Sequence, residues 1–305
     1  MTDFTPVYDV ENPPAAPLNR DSRVSDFWAL LKPRVMSLVV FTGFAGMWVA
    51  PGFSTTHPFL IFVSIITLSL GAGAAGAINM WYDRDIDLIM KRTQNRPVPA
   101  GRVEPAEALT FALFMTVAAV LTMGIALNWV AAGILAFATF FYAVIYTIWL
   151  KRSTPQNIVI GGAAGAFPPM IGWACITGDV TLMPLLLFLI IFLWTPPHFW
   201  ALSLFACEDY KKAGIPMLPA VAGDKTTKWQ MLFYTLILLP VSVAPTMLEL
   251  SGWIYGVSAF VLSGFFVFTA IRVLKDDTLK SARLMFGYSV FYLFALFMAL
   301  MIDAA

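Results

Sequence analysis

Nine apolar runs divide this chain, near 35–51, 59–81, 107–127, 131–150, 157–177, 182–204, 230–249, 252–272 and 284–302. Each approaches the ~20 residues that a helix needs to cross ~30 Å of hydrocarbon. In that solvent a backbone N–H or C=O finds no water, so each run must close its hydrogen bonds internally, as a helix. The expected fold class is all-α, a polytopic membrane protein with nine transmembrane helices and the lipid bilayer as its first partner. Composition agrees, with 59% hydrophobic and 12% charged residues against roughly 25% charged in soluble domains. The net charge of +1 gives no reason to expect a nucleic-acid partner.

All nineteen Lys and Arg fall on one side of the nine-span topology. Arg20, Arg23, Lys32 and Arg34 precede the first span, and Arg84, Lys91, Arg92, Arg96 and Arg102 follow the second. Lys151 and Arg152 follow the fourth, Lys211, Lys212, Lys225 and Lys228 the sixth, and Arg272, Lys275, Lys280 and Arg283 the eighth. The opposite connections (51–58, 128–130, 178–181 and 250–251) hold none. The positive-inside rule then places the N-terminus in the cytoplasm and the C-terminus outside. Residues 1–26 are polar and acidic (Asp3, Asp9, Glu11, Asp21, Asp26) and read as a disordered cytoplasmic segment before a single membrane domain, 27–305. They lack the Arg-rich character of a transit peptide and the early apolar core of a signal peptide, which points to a bacterial inner membrane. Cys175 and Cys207 match no metal or disulfide spacing and read as small apolar residues.

The cytoplasmic connections are unequal, and function is expected on that face. The two long ones, 82–106 and 205–229, resemble each other: acids at a helix end, then basic residues, then a proline turn. Four spans separate them, which suggests a duplicated four-helix unit (spans 1–4 and 5–8) with a ninth helix added. Repeats of this kind place a shared site at their interface.

Within the first long loop, Asn79, Asp83 and Asp87 are spaced four apart. On a helix each such step advances ~40° and rises ~6 Å, so the three side chains form one stripe ~12 Å long, and Asp85 points the other way. Carboxylates at a helix C-terminus meet its partial negative charge, so a cation should offset them. Mg²⁺ shared with a phosphate-bearing substrate suits such a stripe, because Mg²⁺ uses one or two carboxylates and completes its shell with phosphate oxygens and water. A solvated acidic loop balanced by Arg84, Lys91 and Arg92 is the plainer alternative. Arg96, fixed between Pro97 and Pro99, has the guanidinium fork that matches phosphate. Lys151 and Arg152 end the fourth span, and Lys212 follows the sixth; each suits a diphosphate clamp or a topology anchor. His198 sits near the cytoplasmic end of the sixth span beside Trp194, Phe199 and Trp200. It reads as a packing residue, or as a neutral imidazole available to a ligand. His57, in an outer connection, reads as structural.

Several stretches together resemble the UbiA superfamily of intramembrane prenyltransferases. They are Lys32-Pro33-Arg34, Asn79-x-x-x-Asp83-x-x-x-Asp87, Arg92-Thr93-x-Asn95-Arg96-Pro97 and Tyr146-Thr-x-Trp-Leu-Lys151-Arg152. Pro197-His198 and Asp209-Tyr210-x-x-Ala213-Gly214-Ile215-Pro216-Met217-Leu218-Pro219 complete the set, and the resemblance covers about residues 27–302. It is strongest to the branch that prenylates haem, because Ala213 stands where relatives acting on small aromatic acids carry a second aspartate. The resemblance implies farnesyl diphosphate as donor and haem b as acceptor, with a haem A synthase as a downstream partner. It also implies Asn79, Asp83, Asp87 and Asp209 as Mg²⁺ ligands, with catalytic roles for the three aspartates. Arg96, Lys151, Arg152, Lys212 and His198 would bind substrate.

A transporter would place ionisable groups or broken helices near the bilayer midplane, whereas here the charges lie at one edge. A quinone precursor such as 4-hydroxybenzoate remains as a rival acceptor. A scaffold role would leave the acidic stripe unexplained.

Overall fold

The computed structural model describes residues 22–276 and 278–305, so the acidic segment up to residue 21 lies outside the described residues. Helices form fourteen segments in chain order. These are α1 (Val24–Leu30), α2 (Pro33–Trp48), α3 (Pro58–Tyr82), α4 (Arg84–Ile89), α5 (Pro105–Ala126) and α6 (Trp129–Phe140), which runs on as a π-helical stretch, Phe141–Leu150. There follow α7 (Asn157–Gly161), α8 (Ala163–Ala166), α9 (Pro168–Thr177), α10 (Leu182–Phe205), α11 (Cys207–Lys212), α12 (Leu218–Met247), α13 (Trp253–Lys275) and α14 (Leu279–Asp303). No strand occurs among the described residues.

Eight segments are long and apolar enough to cross a membrane, and α1 with α2, bent by 53°, makes a ninth. The chain is therefore a multi-pass membrane protein, with the spans where the apolar runs fall. Several differ in form from plain helices, the fourth by its π-helical end. Asp26, inside the stretch expected to be disordered, belongs to α1 because its carboxylate accepts from Arg102 Nε at 2.8 Å and from the Arg23 amide at 3.2 Å. The fifth span is broken into α7, α8 and α9. The seventh is extended backwards by a kink at Gly223, whose φ of 79° lies in the left-handed region.

The outer connections are short and capped by side chains. His57 Nδ1 accepts from the Phe59 amide at 3.2 Å, and Asn128 Oδ1 accepts from the Ala131 amide at 2.9 Å. Asp303 caps the start of α13 by accepting from the amides of Gly252, Ile254 and Tyr255. These connections only close the bundle, and His57 is structural in this sense.

Lipid offers helices little hydrophobic reason to associate, so close backbone approach has to supply the packing. At the α2–α9 contact a Cβ on Gly172 would lie 1.9 Å from the Gly43 carbonyl oxygen, and one on Gly46 would lie 2.1 Å from that of Pro169. Neither obstacle is a side chain that can swing away. Gly46→Ala and Gly172→Ala should each cost about 1–3 kcal/mol, seen as a lowered thermal midpoint in detergent. Gly133→Ala meets nothing within 4 Å and should leave the midpoint unchanged or higher.

Candidate active site

The acidic stripe survives a break in its own helix. Asp83 ends α3 and starts α4, yet its amide donates to the Asn79 carbonyl at 2.9 Å and its carbonyl accepts from Asp87 at 2.8 Å. The spacing of four is thus kept, and Asn79 Nδ2 donates to Asp83 Oδ2 at 2.7 Å. Asp83 is 0% and Asp87 1% exposed, so neither belongs to a solvated loop, and burying such charge requires counter-ions and hydrogen bonds.

Four cations supply them. Lys151 Nζ pairs with Asp83 Oδ2, and Arg96 Nη1 donates to Asp87 Oδ2 at 2.6 Å. Arg152 forks onto Asp85 through two 2.7 Å bonds, reaches Asp83 Oδ1 at 3.5 Å and lies 4.8 Å over the Tyr82 ring. Asp85, expected on the other side of the helix, is bound by Arg152 into the same network as Asp83. The fourth cation is Lys32, whose Nζ donates to Asn79 Oδ1 at 2.7 Å. Lys32 sits in the break between α1 and α2 at φ 53° and ψ 56°, a left-handed conformation costing about 1–3 kcal/mol for a residue with a Cβ. The break sends its side chain past Gly76 toward Asn79.

The π-helical stretch brings up the opposite wall. Its i→i−5 bonds include the Lys151 amide to the Tyr146 carbonyl at 2.8 Å. Thr147, whose hydroxyl donates to the Tyr142 carbonyl at 2.8 Å, accepts from Asn79 Nδ2 at 3.1 Å. Such stretches are rare and recur at functional sites. Behind the charged groups an apolar cleft runs into the bundle from Lys32, between Val35 and Val39 of α2, Ala72 of α3, Leu135, Tyr142 and Ile171.

The two long loops meet through apolar residues, Ile86 and Met90 packing with Tyr210, Ala213 and Ile215. α4 and α11 hold equivalent places, each a six-residue helix after a long span. Asp209 and Lys212 of α11 do not join the Asp83–Asp87 network; Asp209 is partly exposed and Lys212 exposed. Among the described residues no three His, Cys, Asp or Glu side chains converge as a metal site. The expected set of Asn79, Asp83, Asp87 and Asp209 is thus not a preformed carboxylate cage: Arg96 and Lys151 hold the first loop's acids, and apolar residues join the loops.

What the site lacks is as telling. Six buried side-chain polar atoms have no hydrogen-bond partner among the described residues, and four lie here: Asp83 Oδ1, Arg152 Nε, Asn157 Oδ1 and Tyr210 Oη. Buried orphans are few in folded proteins and call for a partner. Around the three carboxylates of Asp83, Asp85 and Asp87 stand four cations, and Lys32 bonds only a neutral amide. The surplus is positive, so the arrangement can accept an anion. Asp83 Oδ1, which has Arg152 at 3.5 Å but no hydrogen bond, can take a cation that travels with that anion.

Thr147 and the contact of Lys32 with Asn79 were not legible in the sequence. Pro33 at the first position of α2 marks the break that aims Lys32, whereas a π-helical register leaves no pattern at a period of 3.6.

An intramembrane helical bundle with a buried acid–base cluster above an apolar cleft is the architecture of one group of enzymes, and comparison agrees. Residues 39–300 match the UbiA prenyltransferase family, and the chain belongs to it. Protoheme IX farnesyltransferase of Rhizobium johnstonii is 56% identical over 287 residues, covering 93% of this chain and 90% of the relative. The protein of that name from Gluconacetobacter diazotrophicus is 57% identical over 287 residues, covering 91% and 90%. Among solved structures, a digeranylgeranylglyceryl phosphate synthase superposes with a TM-score of 0.77 at 18% identity, covering 92% of this chain and 98% of that one. A UbiA homolog from Archaeoglobus fulgidus bound to GPP and Mg²⁺ gives 0.63 at 16%, covering 90% and 99%. These last two share the fold.

Burial raises the Asp85 carboxyl, but the Arg152 hydrogen bonds and charge outweigh it and hold Asp85 below its ordinary value of 3.8. A depressed folded-state value means stability present above 3.8 and lost as pH falls through the folded value. Asp85→Asn should therefore flatten the acid limb of a thermal-midpoint profile. An unchanged acid limb would show that this pair contributes nothing.

Proposed function

We propose that this protein transfers the farnesyl group of farnesyl diphosphate to the 2-vinyl group of haem b, giving haem O, with the reacting head group at the cytoplasmic face of a bacterial inner membrane. One observation carries the donor side: four cations and four unpartnered buried polar atoms surround the acidic stripe at the mouth of an apolar cleft. The acceptor comes from the relatives' name and from the Ala213 and Pro197-His198 positions of the family pattern. On this reading the N-terminus is cytoplasmic, which the one-sided distribution of the nineteen basic residues supports.

Lys32, Arg96, Lys151 and Arg152 bind the diphosphate oxygens, and Lys212 adds charge from α11. Asn79, Asp83, Asp87 and Asp209 would hold Mg²⁺, and Asp83 Oδ1, which makes no hydrogen bond, fits that role. When bound, Mg²⁺ supplies positive charge to the departing diphosphate. As the allylic C–O bond breaks, its electron pair leaves on the diphosphate, where the ammonium and guanidinium groups stabilise it. The cleft around Leu135 and Ile171 holds the farnesyl chain and excludes water from the allylic cation. The vinyl carbon of the porphyrin forms the new C–C bond, and water adds to the resulting cation with loss of a proton. The hydroxyethylfarnesyl product would pass to a haem-modifying enzyme such as a haem A synthase.

The test uses purified protein with Mg²⁺, farnesyl diphosphate and haem b, with pigments resolved by chromatography and mass detection. The expected product is heavier than haem b by a farnesyl group plus a hydroxyl. Its absence, with turnover of 4-hydroxybenzoate instead, would discard the acceptor and keep the diphosphate site. Asp83→Asn should lower kcat by about 100-fold or more in protein that remains folded in detergent at a lowered thermal midpoint. Near-normal turnover in that variant would remove Asp83 from the reaction.

A further inference from the structure

One histidine away from the acidic cluster is held more tightly than packing requires. His198, on α10, lies between two aromatic rings: Trp194 at 4.2 Å and 16°, and Phe286 of α14 at 4.8 Å and 22°. Both faces are covered, and only the ring edge can meet a ligand. Its Nδ1 lies 2.6 Å from Ser289 Oγ.

The direction of that bond follows from proton bookkeeping. A serine hydroxyl has one proton, and Ser289 Oγ gives it to the Phe286 carbonyl at 2.6 Å. Ser289 therefore accepts from His198, which fixes the proton on Nδ1 and the lone pair on Nε2. Trp194 Nε1 donates to the Ser289 carbonyl at 2.8 Å and so anchors one of the stacked rings to the same residue. His198 Nε2 makes no hydrogen bond among the described residues, and the residue is only partly buried. A histidine whose far nitrogen donates to a fixed acceptor, presenting an unprotonated Nε2, is the arrangement found in metal-ligating imidazoles.

A second feature lies on the same path toward the charged face. The Arg283 guanidinium sits 5.7 Å over the Phe205 ring, and Phe205 meets Phe286 edge-on at 5.9 Å. Arg283 is exposed and forms no ion pair among the described residues. It lies six residues before Ser289 on α14, a rise of ~9 Å, comparable with half the span of a porphyrin that carries extended carboxylate arms. An imidazole lone pair at depth and a free guanidinium at the surface, joined by aromatic rings, match a flat metalloporphyrin with carboxylates at one edge.

We propose that His198 Nε2 is the axial ligand of the acceptor haem, that Ser289 is the residue positioning it, and that Arg283 binds a propionate at the membrane surface. This rests on the haem-acceptor reading above and adds to it the ligating atom and the orientation, propionates toward the charged face.

Ferric haem b is titrated into the full-length protein in detergent, followed by visible absorption and low-temperature EPR. The wild type should bind saturably with an imidazole-ligated spectrum. His198→Gly should lose that spectrum and regain it with added imidazole. Ser289→Ala should weaken haem binding by about 10-fold at an unchanged thermal midpoint. Arg283→Ala should weaken haem b binding several-fold and leave binding of its dimethyl ester unchanged. A wild-type spectrum in His198→Gly without imidazole would overturn the ligand assignment while the acceptor reading stands. Equal loss of haem b and its ester in Arg283→Ala would overturn the propionate contact. A wild type that binds no haem would overturn both the inference and the acceptor reading beneath it.

Discussion

The buried carboxylate of Asp83 is the point on which the rest of the charged face depends. It stands at the break between α3 and α4 with no solvent exposure, and an isolated charge there would cost several kcal/mol. Lys151 and Arg152 from the end of the π-helical stretch, and Asn79 from the preceding turn, meet it. One carboxylate thus ties the second span to the fourth. The pairing leaves Oδ1 without a hydrogen bond, so the network is neutralised but not complete. That incompleteness separates a binding site from a structural ion pair.

The positions of the cations follow from backbone irregularities rather than from regular helices. Lys32 reaches Asn79 because α1 and α2 meet at a left-handed residue with a 53° bend. Lys151 and Thr147 face the acids from a stretch bonded i→i−5. Irregular backbone at such depth is tolerated where it is buried in protein or lines a cavity, and both irregular segments here border the cleft. The regular parts, with close glycine contacts such as Gly172 on Gly43, hold that cleft open.

The spans and the stripe were legible in the sequence because both are periodic: apolar runs of fixed length, and polar groups repeating every four residues. Arg96, Lys151 and Arg152 were legible as basic residues at the same edge. Thr147 was not, since a lone threonine in an apolar run looks like packing. Asp85 was expected on the opposite side of the helix, but its partner Arg152 lies 67 residues away, and only the fold brings the two together. Asp209 was legible as an acid in a loop that resembles the first, but the apolar packing of Tyr210 with Ile86 and Met90 that joins the two loops was not. Ser289 carries no sequence signal, because its significance is the direction of one hydrogen bond.

The most direct measurement is an experimental structure of the protein with Mg²⁺ and a farnesyl thiolodiphosphate that does not ionise. The expected result places the diphosphate against Lys32, Arg96, Lys151 and Arg152, the metal on Asp83 Oδ1, and the prenyl chain in the cleft beside Leu135 and Ile171. A diphosphate bound elsewhere, with the Lys151–Asp83 and Arg96–Asp87 pairs undisturbed, would contradict the account.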